Sequence, residues 1–228
     1  MSAAVRLEAG PSDVAALVER VRVLIDRAAL PGRPGRALVG IAGAPGAGKS
    51  TLTEVLSGAL ERAGLPTAVV GMDGYHLAQS ELERLGRADR KGAPDTFDAE
   101  GYVGLVRRIR VQRPDSPMVY APRFDRHLEE PIAGAVPVPA GVPVVLTEGN
   151  YLLLDAEPWH RLTGLLDECW YLEVDDGPRR ERLVARHVAH GRTPDAAAAW
   201  EAGSDQRNAE VVAASSERAD VVVGWRES

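Results

Sequence analysis

The chain has little cysteine, no surplus of positive charge and no unbroken apolar run long enough for a membrane helix. Each shortage excludes something. A single cysteine, Cys169, cannot close an internal disulfide, which fits a reducing compartment. It lies in the apolar run Cys169-Trp170-Tyr171-Leu172, the setting of a buried structural thiol. With 27 Lys and Arg against 33 Asp and Glu, the net charge of −6 argues against nucleic acid as the main partner. It leaves room for an anionic nucleotide, which needs only a local positive site. The longest uncharged stretch, Pro131 to Thr147, is interrupted by Pro137, Pro139 and Pro143, and no signal-peptide core precedes Arg6, Glu8 and Asp13. The expectation is a cytoplasmic protein without membrane or nucleic-acid partners. Zinc-type Cys/His spacing, a G-x-S-x-G nucleophile motif, an Asn-Lys-x-Asp guanine-reading motif and internal repeats are all missing.

What is present is concentrated in residues 37–51. Ala37 to Ala42 is a short apolar strand pattern. Gly43, Gly48, Lys49 and Ser50 fit G-x-x-x-x-G-K-[ST], and an apolar helix pattern follows through Leu52, Val55, Leu56, Ala59 and Leu60. Strand, glycine loop and helix in that order make a phosphate-binding loop. The loop from Gly43, Ala44, Pro45, Gly46, Ala47 and Gly48 onward to Thr51 wraps a polyphosphate at a helix N-terminus, with the N–H groups of its residues other than Pro45 turned inward. Lys49 is expected to reach the β/γ-phosphates of ATP, and the Ser50 hydroxyl to ligate Mg²⁺. A plain glycine turn before a helix would not need the Lys-Ser pair.

The rest of the chain alternates strand and helix patterns. Helices are expected from Ser12-Asp13 to Ala28, near 80–85, from Asp98 or Ala99 to Val111, over 159–166, from Gly177 to His190 and over 195–214. Strands are expected at 67–71, 142–147, 169–174 and 220–224, with a short strand and a loop over 118–128. Turn-rich or proline-rich connectors fill 31–35 and 131–141. This pattern predicts an α/β fold, a parallel doubly wound sheet with helices on both faces, in one domain over 1–228.

Ligands in such sheets sit beyond the carboxyl ends of strands. Asp73 follows one strand and Glu148 ends another. Asp73, beside Gly74, is the candidate base for an acceptor hydroxyl, and Glu148 for holding Mg²⁺ or orienting the acceptor. Arg179, Arg182 and Arg186 share one helical face. They suit a closing lid over about 177–194, with Arg182 and Arg186 the arginines chosen to meet the phosphates. Tyr75, His76, Tyr120, Arg123 and Asp125 are candidate acceptor contacts, and Arg90 and Lys91 are candidates to meet the acceptor or a product phosphate.

These residues resemble the phosphoribulokinase/uridine kinase superfamily of small-molecule kinases. Met72-Asp73-Gly74-Tyr75-His76 and Arg90-Lys91-Gly92-Ala93-Pro94-Asp95-Thr96-Phe97-Asp98 are similar to stretches of type I pantothenate kinases. Glu148-Gly149-Asn150-Tyr151-Leu152-Leu153-Leu154 is similar to the short nucleoside/nucleotide kinase, or fructose transport system kinase, branch. The resemblance implies a P-loop NTPase-type three-layer fold with a small lid, ATP and Mg²⁺ at Lys49 and Ser50, Asp73 as catalytic base and Asn208 near the ligands. Homodimers are common in such kinases. The function expected is transfer of the γ-phosphate to a hydroxyl of a nucleoside, sugar or pantothenate-like alcohol. The other reading is a regulatory ATPase or nucleotide switch acting on a protein partner. The chain departs from pantothenate kinases where Ala121-Pro122 follows Tyr120 in place of Ser-His, so the resemblance leaves the acceptor open.

Overall fold

The computed structural model describes residues 4–29 and 35–226. Most of the connector expected at 31–35 lies outside those residues. Six parallel strands form one sheet in the order β1-β8-β7-β2-β6-β3. They are β1 (Val5–Ala9), β2 (Ala37–Ala42), β3 (Thr67–Gly71), β6 (Val144–Gly149), β7 (Glu168–Glu173) and β8 (Val221–Trp225). A separate antiparallel ribbon pairs β4 (Val119–Asp125) with β5 (Glu130–Val138).

The central strands are near-continuous apolar runs because both faces of the sheet are covered. Alternation along β2 serves the two faces in turn. Leu38 and Ala42 point into a core with Tyr102, Tyr151 and Trp159, whereas Val39 and Ile41 point into one with Leu17, Leu52, Leu56 and Trp170. Helices α1 (Ala15–Ala28) and α2 (Lys49–Arg62) cover the second face. Helix α4 (Ala99–Val111) covers the first, burying Tyr102, Val103, Val106 and Ile109 at helical spacing. Asp98 starts α4 by accepting the Gly101 N–H at 2.9 Å. Short helix α3 (Gln79–Arg84) follows β3. Beyond β7 come α5 (Asp176–Ala189), α6 (Pro194–Trp200) and α7 (Gln206–Ala214). The expected continuous helix over 195–214 is interrupted by a π-helical turn at Glu201–Asp205, and the segment over 159–164 is 3₁₀. Trp159, Trp170 and Trp225 are buried packing residues, and Cys169 is buried, with burial pushing its thiol up.

Two strands differ from expectation. Glu130–Val138 was expected as a proline-rich connector, yet it pairs with β4 and places Pro131 opposite Phe124 and Pro137 opposite Tyr120. Proline lacks the ladder N–H, but both strands of a two-stranded ribbon are edges, where the missing donor can face outward. The register shift between Ala121 and Arg123 brackets Pro122 in the same way. Strand β1 was not expected at all. It is a mostly exposed edge strand, so its sequence carries no strong apolar alternation.

Candidate active site

The loop between β2 and α2 lies at the carboxyl edge of the sheet. Gly46 and Gly48 have φ of 76° and 91°, the left-handed region that glycine enters without a Cβ clash. Gly46 is constrained twice over, because a Cβ there would stand 2.7 Å from Leu183 Cγ and 2.9 Å from the Arg179 carbonyl oxygen. The loop is thus packed directly against α5. Lys49 is buried, and its ammonium donates to the carbonyls of Gly43 (2.9 Å) and Ala44 (3.1 Å) and to Asn150 Oδ1 (2.7 Å). Burial pulls the Lys49 ammonium below its ordinary pKa, against the opposing pull of Glu148 and Asp73.

Gly71 and Glu148 are partners in the β3–β6 register, so the ends of these strands bring two acids together. Asp73 sits in the 3₁₀ turn Met72–Tyr75 that leaves β3. Ser50 Oγ donates to Glu148 Oε1 at 3.2 Å. Arg126 Nη2 donates to Asp73 Oδ2 at 3.2 Å, and His76 Nδ1 lies 2.8 Å from the Asp73 carbonyl. About a third of the Asp73 side chain meets solvent, 34%. The enclosing walls still strip enough water to raise its carboxyl, but His76, Arg126, Lys49 and Arg186 outweigh this and hold it below the ordinary range. Glu148 moves the other way, since burial and then Asp73 raise it against Lys49 and Ser50. The two acids are therefore split, one firmly ionised and one reluctant.

Among the described residues no group of three or more His, Cys, Asp or Glu side chains could cage a metal. Ser50 Oγ and Glu148 Oε1 are hard oxygen donors beside the loop. They fit a cation such as Mg²⁺, which keeps several waters and takes few protein ligands.

A cavity of about 670 Å³ opens over this edge, within the range of small-molecule sites. Pro45, Gly46, Gly48, Lys49, Ser50 and Thr51 form its floor, and Asp73, His76 and Glu148 its wall. Arg182 and Arg186 from α5 reach it from the side, as does Lys91 from the loop before α4. Gly43, Ala44 and Ala47 lie beneath the floor, where Gly43 packs on Leu172 and Ala47 is buried. Arg179, on the same helical face, does not join Arg182 and Arg186 over the cavity. It is 1% exposed and ties α5 to its surroundings through Asp176 Oδ1 (2.9 Å), the Pro45 carbonyl (3.2 Å) and Gln206 Oε1 (2.9 Å).

Five of the acceptor candidates fall outside the lining, among them Asp125, which accepts the N–H groups of His127 and Leu128 in the ribbon's turn. Tyr75 turns into the core, edge-on to Tyr102 with ring centroids 5.4 Å apart, and burial pushes its hydroxyl up to about 12. Arg90 is taken by Asp95 at 2.9 Å and by the Gly86 carbonyl. Tyr120 is 56% exposed, and Arg123 is exposed on the ribbon. The ribbon instead offers the cavity Phe124, Arg126 and Glu129. Arg126 carried no signal in the sequence, because only the ribbon's turn folds it back to Asp73. Asn150 did carry one, in Glu148-Gly149-Asn150 at a strand's carboxyl end. Trp200 and Asn208 also line the cavity, Trp200 with Arg192 stacked 4.1 Å over its ring. No helix among the described residues is long and apolar enough to cross a membrane.

Residues 13–78 match the family model of the methylmalonyl-CoA mutase-associated GTPase MeaB, a stretch that ends just past the phosphate loop and β3. An ATP-dependent kinase-like protein of Aspergillus versicolor is 43% identical over 133 residues, 56% of this chain and 77% of that one. A protein provisionally named a uridine kinase in Schizosaccharomyces pombe is 36% identical over 162 residues, 68% of each chain. Among solved structures, one provisionally named a fructose transport system kinase from a Silicibacter species superposes with a TM-score of 0.79 at 43% identity, over 90% of this chain and 98% of that one.

Proposed function

The chain belongs to the P-loop kinase superfamily, among its ATP-dependent kinase-like and uridine kinase-like members, and from that premise we propose that it transfers the γ-phosphate of ATP to a hydroxyl of a small metabolite. The observation that carries this reading is the placing of the Asp73 carboxylate in one cavity with the phosphate loop and Lys49.

In the proposed reaction the loop backbone and Lys49 hold the β- and γ-phosphates. The acceptor hydroxyl lies between Asp73 and the γ-phosphorus. Its oxygen attacks in line and forms the new O–P bond, and its proton passes to an Asp73 carboxylate oxygen. The bond from the γ-phosphorus to the β,γ-bridging oxygen breaks, and the electron pair leaves on ADP. Arg182 and Arg186 donate to the transferring group and neutralise the charge it develops. Bound beside Ser50 and Glu148, Mg²⁺ would supply Lewis-acid charge neutralisation on the phosphates. His76, packed at a tilt against Phe97 and Phe124 with centroids 4.1 and 4.9 Å away, forms one wall of the acceptor end.

A nucleotide switch acting on a protein partner is the second reading, and the match of 13–78 to a GTPase model favours it. That stretch holds the nucleotide in either case, and the switch gives Asp73 and the Lys91 loop no task. The test follows ADP release with ATP and Mg²⁺ against a panel of nucleosides, sugars, hydroxy acids and pantothenate. Stimulation by one small molecule supports the kinase. Hydrolysis indifferent to all of them and raised by a protein would replace it with the switch.

A further inference from the structure

The chain carries only two lysines, Lys49 and Lys91, among its 27 cationic side chains, and both line the cavity. Arginine serves every other cationic side-chain position, so both lysine ammonium groups of the sequence lie in the cavity. Lys49 belongs to the phosphate loop, which leaves Lys91 to be explained.

The loop holding Lys91 is built firmly. Gly92 has φ of 100°, its N–H donates to Thr96 Oγ1 at 2.9 Å, and its carbonyl accepts the Tyr151 hydroxyl at 2.5 Å. Lys91 Nζ donates to the Glu129 carbonyl at 2.8 Å and lies 5.5 Å from the centre of the Phe124 ring. The Arg126 guanidinium lies 5.7 Å from the same ring. Two cations thus share one aromatic ring at the acceptor end of the cavity. Lys91 has spent one of its donors on a neutral carbonyl, and Arg126, 44% exposed, is free to pivot.

Arg126 also poses a chemical problem. Its ion pair with Asp73 occupies the carboxylate that the kinase reading requires as a base. Asp205 lines the same cavity but is paired with His187 at 2.7 Å, and the carboxylate that meets Arg126 is Asp73. A ligand group that binds Arg126 more strongly than one carboxylate does would free the base when the acceptor arrives.

We propose that the acceptor carries an anionic group, a carboxylate or a phosphate, in addition to the hydroxyl that is phosphorylated, and that this group is held between Lys91 and Arg126 beside Phe124, drawing Arg126 off Asp73. The proposal rests on the kinase reading above and narrows its substrate class. Lys91 and Arg126 determine specificity, and Arg126 also keeps Asp73 occupied until an acceptor is in place.

The test uses acceptor pairs that differ only in the anion. Glycerate and glycerol, or pantothenate and pantothenol, probe a carboxylate. A pentose 5-phosphate and its pentose, or a nucleoside monophosphate and its nucleoside, probe a phosphate. ADP release is measured for every member. In parallel, the protein with Mg²⁺ and a non-hydrolysable ATP analogue is acetylated with an N-hydroxysuccinimide ester, and each lysine is read by mass spectrometry. The expected result is turnover of a charged member with its neutral counterpart poorer by about 10–100-fold in kcat/KM, the worth of a charge-assisted contact. The same charged member protects Lys91 from acetylation. Lys91→Gln and Arg126→Gln raise KM for it and shrink the charged-to-neutral ratio, and Arg126→Lys restores part of that ratio. Protection of Lys49 by the nucleotide analogue reports that each variant has folded. Equal turnover of charged and neutral members overturns the anion clamp and leaves the kinase intact. An unchanged ratio in both Gln variants, or no protection of Lys91 by any charged member, also overturns the clamp. ADP release indifferent to every acceptor overturns the clamp and the kinase reading together.

Discussion

Lys49 Nζ stands 2.7 Å from Asn150 Oδ1, joining the first residue of α2 to the residue just past β6. With the carbonyls of Gly43 and Ala44, Asn150 gives the buried ammonium three acceptors before any phosphate is present. Asn150→Ala should destabilise the nucleotide-free protein by about 1–3 kcal/mol, the worth of a hydrogen bond to a charged group. Phosphate oxygens replace the lost acceptor, so the rise in Tm on adding ATP and Mg²⁺ should be larger in the variant than in the parent. Paired melting curves with and without nucleotide check this. A smaller rise in the variant would show that Asn150 acts on the bound phosphates and not on Lys49.

Asp73→Asn keeps the shape and removes the proposed base. Affinity for ATP and Mg²⁺ should stay within a few-fold, and kcat should fall by about 10²–10⁴. Nucleotide titration and steady-state rates with the acceptor from the panel separate the two. Undiminished kcat would take Asp73 out of the proton transfer.

Glu148 holds its proton in the folded chain to a higher pH than an ordinary Glu, because the half-buried cavity wall desolvates it and Asp73 stands next to it. Between the ordinary and the raised value the folded state binds more protons than the unfolded one, so Glu148's contribution to stability falls as pH rises through that window. Above it the metal-free protein bears the cost of an ionised, partly desolvated acid beside Asp73. Glu148→Gln should therefore raise the metal-free stability at pH 7, by about 0.5–2 kcal/mol, and raise the Mg²⁺ concentration needed for turnover. Asp73 contributes with the opposite sign. Its lowered carboxyl adds stability above the ordinary Asp value that is lost as pH falls. Denaturant melts from pH 4 to 8 with and without Mg²⁺ test the pair, which titrates as a unit.

Arg179→Ala leaves the Pro45 carbonyl and Gln206 Oε1 without their buried donor and opens space beneath α5. A loss of about 2–4 kcal/mol is expected from those unmade bonds. Asp176 adds little to it, because that partner is 74% exposed. The loop loses its brace on α5, so KM for ATP should rise more than kcat falls. A drop in kcat alone, at unchanged KM, would place Arg179 with the reacting phosphate instead.

Much of this site was legible in the chain because its signals are local. Gly43 to Ser50 is a contiguous pattern whose backbone geometry dictates its own conformation, and the following helix places Lys49 and Ser50 without help from elsewhere. Asp73 and Glu148 were readable because strands of a parallel sheet end at a common edge, and both stand at or just past such an end. The helical face of Arg179, Arg182 and Arg186 was readable as a face, but spacing could not say which arginine would be buried. Leu183 and Gly46 decide that, by docking α5 onto the loop at Arg179.

The acceptor end was a different matter. Arg126 reaches Asp73 across 53 positions of sequence, and Asn150 reaches Lys49 across 101. Both contacts depend on elements whose pairing the chain signals poorly, a proline-bearing ribbon in one case and the order of strands in the other. The sequence by itself determined the conformation of the loop proposed to hold phosphate, since a single turn of backbone suffices for that. Only the tertiary structure decided which cations face the acceptor, because that pocket is assembled from the β3 turn, the Lys91 loop, the β4–β5 ribbon and α5, and no one of these fixes the position of another.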